Sequence, residues 1–517
     1  MRTETIPLDE TDCFSPFFID YINKKKALAP FYNDFPTVEN FEKTIKNRQF
    51  KDENRKVLVD VLKEQYRDLK VNSGVSQNIE ALADPKTFTI TTGHQLNIFT
   101  GPLYFIYKIV TVINACKTLK QAHPDYNFVP VYWMASEDHD YEEINHFFFE
   151  GEKYEWQTDQ KGAVGHFDPS GLKNIAEKLP KGAEFFAKAY SHETLADAGR
   201  AYVNHLFGDQ GLVVVDADNV KLKKAFTPII EDDLFEHSPQ KFVSKTSLAL
   251  EDTGYKTQVT ARQINFFYLE KGVRERIEKT GAGFQVVDTD ISFSEEEMQK
   301  MINDHPERFS PNVILRPLYQ ETILPNLAYV GGPSEAVYWL QLKDMFDHFK
   351  TAFPLLMPRN FALVVPKTAA TKWEKTGLSQ SDFFLSSETA FEKWVKANCA
   401  HEISYEEELK KLKKIEGSLK DKAGEVDPTL TQHIEALHAS FSKRIEKAEK
   451  KLVRAEKRFH EDRRRQIESV KEVLFPGGSL QERKDNFLNF YLKDPAFVQK
   501  LLNTFDAFDY RMYLMYL

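Results

Sequence analysis

The chain has 517 residues, 42 % of them hydrophobic, and a formal net charge of −9. That length exceeds one simple core, so two or three domains are expected, and the negative balance excludes a general nucleic-acid binder, whose affinity comes from neutralising phosphates. No stretch reaches the ~18 apolar residues of a membrane span, no CxxC pair points to structural zinc, and MRTETIPLDETDCF lacks a signal pattern, so a cytoplasmic protein is expected.

Residues 1–85 read as helical, with apolar residues at mixed 3–4 spacing between charges from Asn40 to Leu69. Over 86–150 the pattern changes to strand Phe88–Thr92, helix Pro102–Leu119 and strand Phe128–Met134. Such a βαβ unit predicts a parallel sheet. Residues 151–310 read as an insertion region. GLVVVD at 211–216 is a buried strand suited to the core sheet, and Phe266–Leu269 and Phe284–Asp288 are strands of a smaller unit. GAGFQVVD is half of a dinucleotide fingerprint without its third glycine, and reads as a turn. Residues 311–400 resume the core with strands Val313–Leu315, Leu327–Val330 and Phe361–Val365 and helix Ser334–Phe349.

From 401 to 475 the composition shifts to Lys, Glu, Arg and Leu. Ile434, Leu437, Phe441, Ile445, Ala448, Leu452, Ala455 and Phe459 form a coiled-coil seam. A shorter arm carries Leu412, Ile415, Leu419, Ala423 and Val426, and Asp427-Pro428 separates the two, so a helical hairpin is expected. Its longer arm has seam to spare for a homodimer contact. Residues 476–517 form a C-terminal segment that packs on the core.

In an open parallel sheet, ligands bind beyond the carboxyl ends of the strands. Three turns there carry suitable chemistry. TTGHQLNIFTGP offers Gly93 for close backbone approach, His94 and Gln95, and a helix start at Gly101-Pro102 that favours an anion; Tyr104 and Lys108 share one face of that helix. WMASEDHDYEEINH places Glu137, Asp138 and His139 in a loop, with Asp140 and Glu143 spaced as a capping box. The carboxylates and the histidine suit orienting an amine, accepting its proton or placing magnesium. NLAYVGGPSEAVYW turns at Gly331-Gly332 and puts Glu335 in the first turn of a helix. GPLYFIY and GPSEAVY match in spacing, which sets Tyr107 beside Tyr338 as equivalents at two bare helix N-termini. Arg316 and Arg359 lie near strand ends and suit a carboxylate or phosphate. Gly477 and Gly478 suit a backbone nest, with Ser479, Gln481 and Arg483 nearby.

TGHQLNIFTGPLYFIYK, VYWMASEDHDYEEINH, LRPLYQETILPNLAYVGGPSEAVYW and the late hairpin together resemble the bacillithiol synthase family, the cysteine ligases of bacillithiol biosynthesis. The resemblance runs over nearly the whole chain in the same order. It implies a Rossmann-like core akin to class I aminoacyl-tRNA synthetases, connective-peptide insertions and a dimerising C-terminal α-helical coiled coil. TGHQ stands where the synthetase HIGH signature would, and no KMSKS-like run follows the last strand. The implied reaction joins cysteine to the amine of glucosaminyl-malate. By position, the implied crevice is lined by Gly93, His94, Gln95, Glu137, Asp138, His139, Asn145, Gly331, Gly332, Glu335 and Tyr338. Gly477, Gly478, Ser479, Gln481 and Arg483 fall at a nucleotide pocket. The chemistry then casts His94, Glu137, Asp138, His139 and Glu335 as catalytic, and Lys108 and Arg316 as cations for the malate carboxylates. No cofactor is fixed; ATP or ADP and magnesium are admitted.

Two other readings stay open. One is another aminoacyl-activating or nucleotidyl-transferring enzyme linked to tRNA, since Lys443–Arg465 has eleven Lys/Arg against five Asp/Glu. The other is a non-enzymatic coiled-coil scaffold, which would leave three polar strand ends without a use.

Overall fold

A computed structural model describes residues 2–281, 283–399 and 403–517. The expected 400/401 boundary lies outside the described residues, as does Ala282 of GAGFQVVD. The chain divides into two compact units. The larger comprises Pro7–Ala362 and Glu482–Tyr513; the smaller comprises the start up to Ile6, Leu363–Gln481 and Leu514–Leu517.

The larger unit is built on five parallel strands: β1 (Thr87–Gln95), β2 (Asn127–Ala135), β3 (Val213–Asp216), β4 (Asn326–Gly331) and β5 (Leu355–Pro358). Their order across the sheet is β5-β4-β1-β2-β3. The winding reverses between β1 and β4, and a crevice opens beyond such a reversal. Central β1 is threonine-rich yet buried. Thr89 and Thr91 give their hydroxyls to Asn326 Oδ1 at 3.1 and 2.9 Å, and Thr92 gives its own to the Val330 carbonyl at 2.8 Å. Buried hydroxyls persist where they are bonded in this way. Helix α1 (Tyr104–Ala122) covers one face, with Val112, Ala115, Cys116 and Leu119 packed on Ile90, Phe128, Leu327 and Val330. The C-terminal segment 482–513 packs on the same unit: Asn114 Nδ2 donates to the carbonyls of Leu502 and Phe505 at 2.9 and 2.7 Å.

Between β3 and β4 the chain inserts helices and an antiparallel sheet. Its order is Ser292–Phe293, Gly283–Val286, Val273–Thr280, Phe266–Glu270 and Phe309–Pro311. GLVVVD does join the core sheet, starting at Val213 because Gly211 turns at φ +75°.

Several expectations change. Residues 2–6 form a strand ahead of the helices. Val313–Leu315 is not a strand: Asn312 Oδ1 accepts the N–H groups of Ile314 and Leu315 at 2.8 and 3.4 Å and turns the chain into helix α2 (Arg316–Ile323), which carries Pro317 in its first turn. Phe361–Val365 is a strand, but it pairs in a separate three-stranded sheet with Met512–Tyr516 and Arg2–Ile6; the fifth core strand is the short LLMP run at 355–358. The single helix expected over 334–349 is α3 (Pro333–Tyr338), a 3-10 stretch and helix Lys343–His348.

In the smaller unit, α4 (Glu406–Val426) and α5 (Leu430–Lys457) form the expected hairpin, followed by α6 (Glu461–Leu474). His438 of α5 meets Glu416 of α4 at 3.2 Å, while Leu437 and Phe441 stay about half exposed, at 54 % and 52 %. No helix among the described residues is long and apolar enough to cross a membrane.

Candidate active site

The crevice beyond β1 and β4 is a cavity of about 690 Å³ in the larger unit. β1 runs on through Gly93, His94 and Gln95, so these residues end a strand rather than make a turn. The Gly93 carbonyl accepts Lys108 Nζ at 2.9 Å. A side chain at 93 would press on Tyr329 Oη and Arg316 Nη1, 3.2 and 3.4 Å from its Cβ, so glycine keeps the floor open.

Glu335, in the first turn of α3, is fixed by three donors. Lys108 Nζ lies 2.6 Å from Oε2, the Gly332 N–H 2.7 Å from Oε2, and Tyr329 Oη 2.7 Å from Oε1. Burial disfavours its charge, but Lys108 and these donors outweigh that and hold its pKa at about 2. It is a permanent carboxylate. The Lys108 ammonium is committed to Glu335 and Gly93, which removes it from the carboxylate-binding role expected for it.

His94 is buried between Tyr104 and Phe105, both ring centroids at 5.3 Å. Asn97 Nδ2 lies 3.1 Å from its Nε2. Burial first, then the charge of Lys108, lowers its pKa to about 3. With Asn97 donating to Nε2, His94 is a neutral ring whose proton sits on Nδ1. That makes it a hydrogen-bond donor for a developing oxyanion and a poor base.

Arg316 lies among Trp133, Tyr329 and Trp339, 6.0, 5.4 and 5.8 Å from their ring centroids. Its Nη1 reaches Gln320 Oε1 at 3.1 Å and its Nη2 is buried without a hydrogen-bond partner. Among the described residues it makes no ion pair, whereas the other buried cavity cations do: Lys108 with Glu335, Arg274 with Asp138 and Arg359 with Glu482. A guanidinium in that state is set up for an anion. Arg359 Nε is also buried without a partner.

On the opposite wall, the SEDHD loop is tied down from behind. Ser136 Oγ donates to Asp216 Oδ1 at 2.5 Å, and the N–H groups of Gly165 and Val164 bond the carbonyls of Ser136 and Asp138, both at 2.7 Å. Glu137 meets Lys223 Nζ at 2.5 Å and Ser310 Oγ at 2.9 Å; burial raises its pKa and Lys223 opposes the rise. Asp138 Oδ1 takes the His139 N–H at 2.8 Å. Arg274, stacked 4.1 Å over Phe267, donates to His139 Nδ1. Burial, then Arg274, lowers the His139 pKa, so its remaining Nε2–H is a donor.

The cavity thus brings together His94, Glu137, Asp138, His139 and Glu335, with Gly93, Gln95, Lys108, Arg316, Gly332, Tyr338 and Arg483. It does not include Asn145, whose Oδ1 contacts His146 Nδ1 at 2.8 Å, or Gly331, whose carbonyl takes the Arg359 N–H at 2.9 Å. The Asp140–Glu143 capping box does not form: Asp140 makes no cap bond, and Glu143 is held by Gln95. Tyr107 is fully buried in the core, and Tyr104 takes the wall position instead. Nor is the start of α1 bare, since the Leu103 N–H is given to the Asp485 carbonyl at 2.8 Å. In the smaller unit, the Gly477 N–H goes to Glu472 Oε1 at 3.2 Å and the Gly478 N–H to the Phe475 carbonyl at 2.8 Å. The Gln481 amide takes the Val364 N–H at 2.9 Å and donates to the Val364 carbonyl at 3.1 Å. The Ser479 N–H lies 3.4 Å from the Pro476 carbonyl. Sequence reasoning missed Lys223, Arg274, Ser310 and Tyr329, which carry no local motif; they enter through the insertion or through strand register.

Comparison with known families agrees with this architecture. Residues 1–360 match the family described as "Bacillithiol biosynthesis BshC, N-terminal Rossmann-like domain", and residues 362–517 match its "C-terminal coiled-coil domain". The chain is 44 % identical over 504 residues to a protein of Cytophaga hutchinsonii, covering 97 % of each chain, and 44 % identical over 507 residues to one of Flavobacterium psychrophilum, covering 95 % of each. A Salinibacter ruber relative is 32 % identical over 94 % of both chains. All three are named "Putative cysteine ligase BshC". With both domains matched in order across the chain, this protein belongs to the BshC family of bacillithiol biosynthesis.

Proposed function

We propose that the chain is a ligase that joins the carboxyl of cysteine to the amine of glucosaminyl-malate, the amide-forming last step of bacillithiol biosynthesis. The carrying observation is the pairing, in one cavity, of Arg316, which makes no ion pair among the described residues, with a neutral His94 and the fixed carboxylates Glu137 and Glu335. Arg316 suits a malate carboxylate. The glucosamine nitrogen attacks the activated cysteine carboxyl carbon and gives up one proton while the leaving group takes the bonding pair. His94 Nδ1–H donates to the oxygen that gains negative charge. Glu137 or Asp138 holds the cysteine ammonium or accepts the amine proton.

Amide formation from a free carboxylate requires activation, and ATP or ADP is the proposed nucleotide. Arg359 Nε and Arg483 are the cavity groups that suit its phosphates. When bound, ATP would supply the leaving group. Among the described residues no cluster of three His, Cys, Asp or Glu side chains is arranged for a metal, so magnesium enters only as the nucleotide's companion. We place the reaction in the cytoplasm, where thiols stay reduced, and infer a homodimer through the exposed seam of α4 and α5.

Thiol profiles by mass spectrometry of cells with and without this chain test the reaction. Cells without it should accumulate glucosaminyl-malate and lack its cysteine conjugate, and the R316M and H94A variants should fail to restore the conjugate. Normal conjugate levels in the deleted strain would overturn the proposal.

A further inference from the structure

The segment NVKLKKAF carries three lysines, Lys221, Lys223 and Lys224. The structure separates them. Lys221 is exposed and reaches Glu64 at 2.5 Å, and Lys224 is exposed. Lys223 is fully buried, with Nζ 2.5 Å from Glu137 Oε1, 2.5 Å from the Phe309 carbonyl oxygen and 5.4 Å from the Tyr319 ring centroid. It does not line the cavity; Glu137 does. Burying an ammonium costs several kcal/mol, and two apolar side chains would fill the same space without that cost. The lysine therefore serves the carboxylate it faces.

We propose that Lys223 is a positioning residue that keeps Glu137 ionised and held against Ser310, so that the cavity offers the substrate amine a carboxylate. This rests on the reaction proposed above. Other charged groups face Glu137 from several elements. Asp218, just after the end of β3, disfavours its charge. Arg274 from the inserted sheet and His166 favour it, and the Tyr319 hydroxyl of α2 adds an uncharged neighbour. Burial is the main influence pushing Glu137 toward protonation, and Lys223 is the largest one opposing it. A carboxylate binds an ammonium or takes its proton; a protonated acid does neither.

The test is infrared difference spectroscopy of the purified protein between pH 6 and pH 9, run beside the rate of conjugate formation. In K223M, a protonated-carboxyl band should appear at pH 7 that is absent from wild type and from K223M/E137Q, and it should vanish as pH rises. The K223M rate at pH 7 should fall about tenfold for each unit by which that carboxyl's titration midpoint lies above pH 7 and recover at higher pH. K223R and K221M should behave as wild type. Should K223M fail to fold, K223Q carries the same measurement. Absence of the band, its presence in wild type, or a rate loss indifferent to pH would overturn the proposal and leave Lys223 as a brace only. The infrared result is read without substrate, so a failure of the proposed reaction would appear separately, as an absence of conjugate from wild type.

Discussion

Arg316 shows how a residue type visible in sequence gains its meaning from neighbours that are not. An arginine near a strand end is common; one framed by Trp133, Tyr329 and Trp339, with a buried Nη2 that has no partner, is not. Lysine would keep the charge but lose the planar fork and the stacking. R316K is therefore expected to weaken binding of glucosaminyl-malate by about 10- to 100-fold, the worth of one charge-assisted hydrogen bond, with a smaller change in turnover. Titration calorimetry checks this, and unchanged affinity would remove Arg316 from the substrate site. His94 makes a second prediction at this scale. With a folded pKa of about 3, its ring should stay neutral from pH 5 to 8 and show the Nδ1–H tautomer in nitrogen-detected NMR. A titration centred near the ordinary histidine value would mean that water reaches the ring and that its role as a neutral donor is wrong.

At the scale of elements, legibility followed the range of the forces. β1, α1 and β2 were readable because α1 and β2 carry long apolar runs and β1 opens on β-branched residues around Phe88 and Ile90, and so was the α4–α5 hairpin with its Asp427-Pro428 break. Glu137 and Glu335 were found as candidates because both sit where a strand of the parallel sheet hands over to a loop or helix. Arg274 and Ser310 were not, because only antiparallel register in the insertion brings Val273–Thr280 and Phe309–Pro311 alongside Phe266–Glu270. Val313–Leu315 misled as an apolar run because Val313 is exposed and the burial of Ile314 and Leu315 serves the start of α2 rather than a sheet. The loop carrying Glu137 depends on one close approach: a Cβ at Gly165 would lie 2.6 Å from Ser136 Cβ and 2.7 Å from its carbonyl oxygen. G165A should therefore displace SEDHD and cost about 1–3 kcal/mol, lowering both the unfolding midpoint and the rate of conjugate formation; a wild-type rate would show that the loop tolerates the shift. On the hairpin, Leu437 and Phe441 are expected to meet a second copy, and an L437E/F441E chain should run as a monomer in light scattering where wild type runs as a dimer. Equal masses would leave the seam without that role.

Across the whole molecule, the buried carboxyls set an unusual dependence of stability on pH. Asp233 is held by the Asn265 N–H at 2.6 Å and by its Nδ2 at 2.9 Å, yet burial lifts its pKa to about 7. Glu321, bonded by Asn326 and Gln320 beneath the sheet, is lifted by burial to about 7 as well. In the unfolded chain both would be ionised above about pH 5. The folded state therefore holds protons that the unfolded state has lost, and stability falls as pH climbs through 7. Histidines with lowered values, His94 among them, act in the opposite sense, but only below the ordinary histidine value of 6.5, where the unfolded chain begins to take up protons. Glu335, at about 2, loses its stabilising charge only below pH 4.5. Between pH 6.5 and 8 the two carboxyls lifted to about 7 should dominate and cost about 1–2 kcal/mol of stability, levelling off above pH 8. Hydrogen exchange of β1 peptides in rising urea reads the unit that contains both groups. D233N and E321Q should each remove about half of the slope, whatever they do to the midpoint itself. A stability that rises from pH 6.5 to 8, or a slope indifferent to both substitutions, would show that these carboxyls are ionised in the folded protein and that its buried polar network is wetter than its geometry implies.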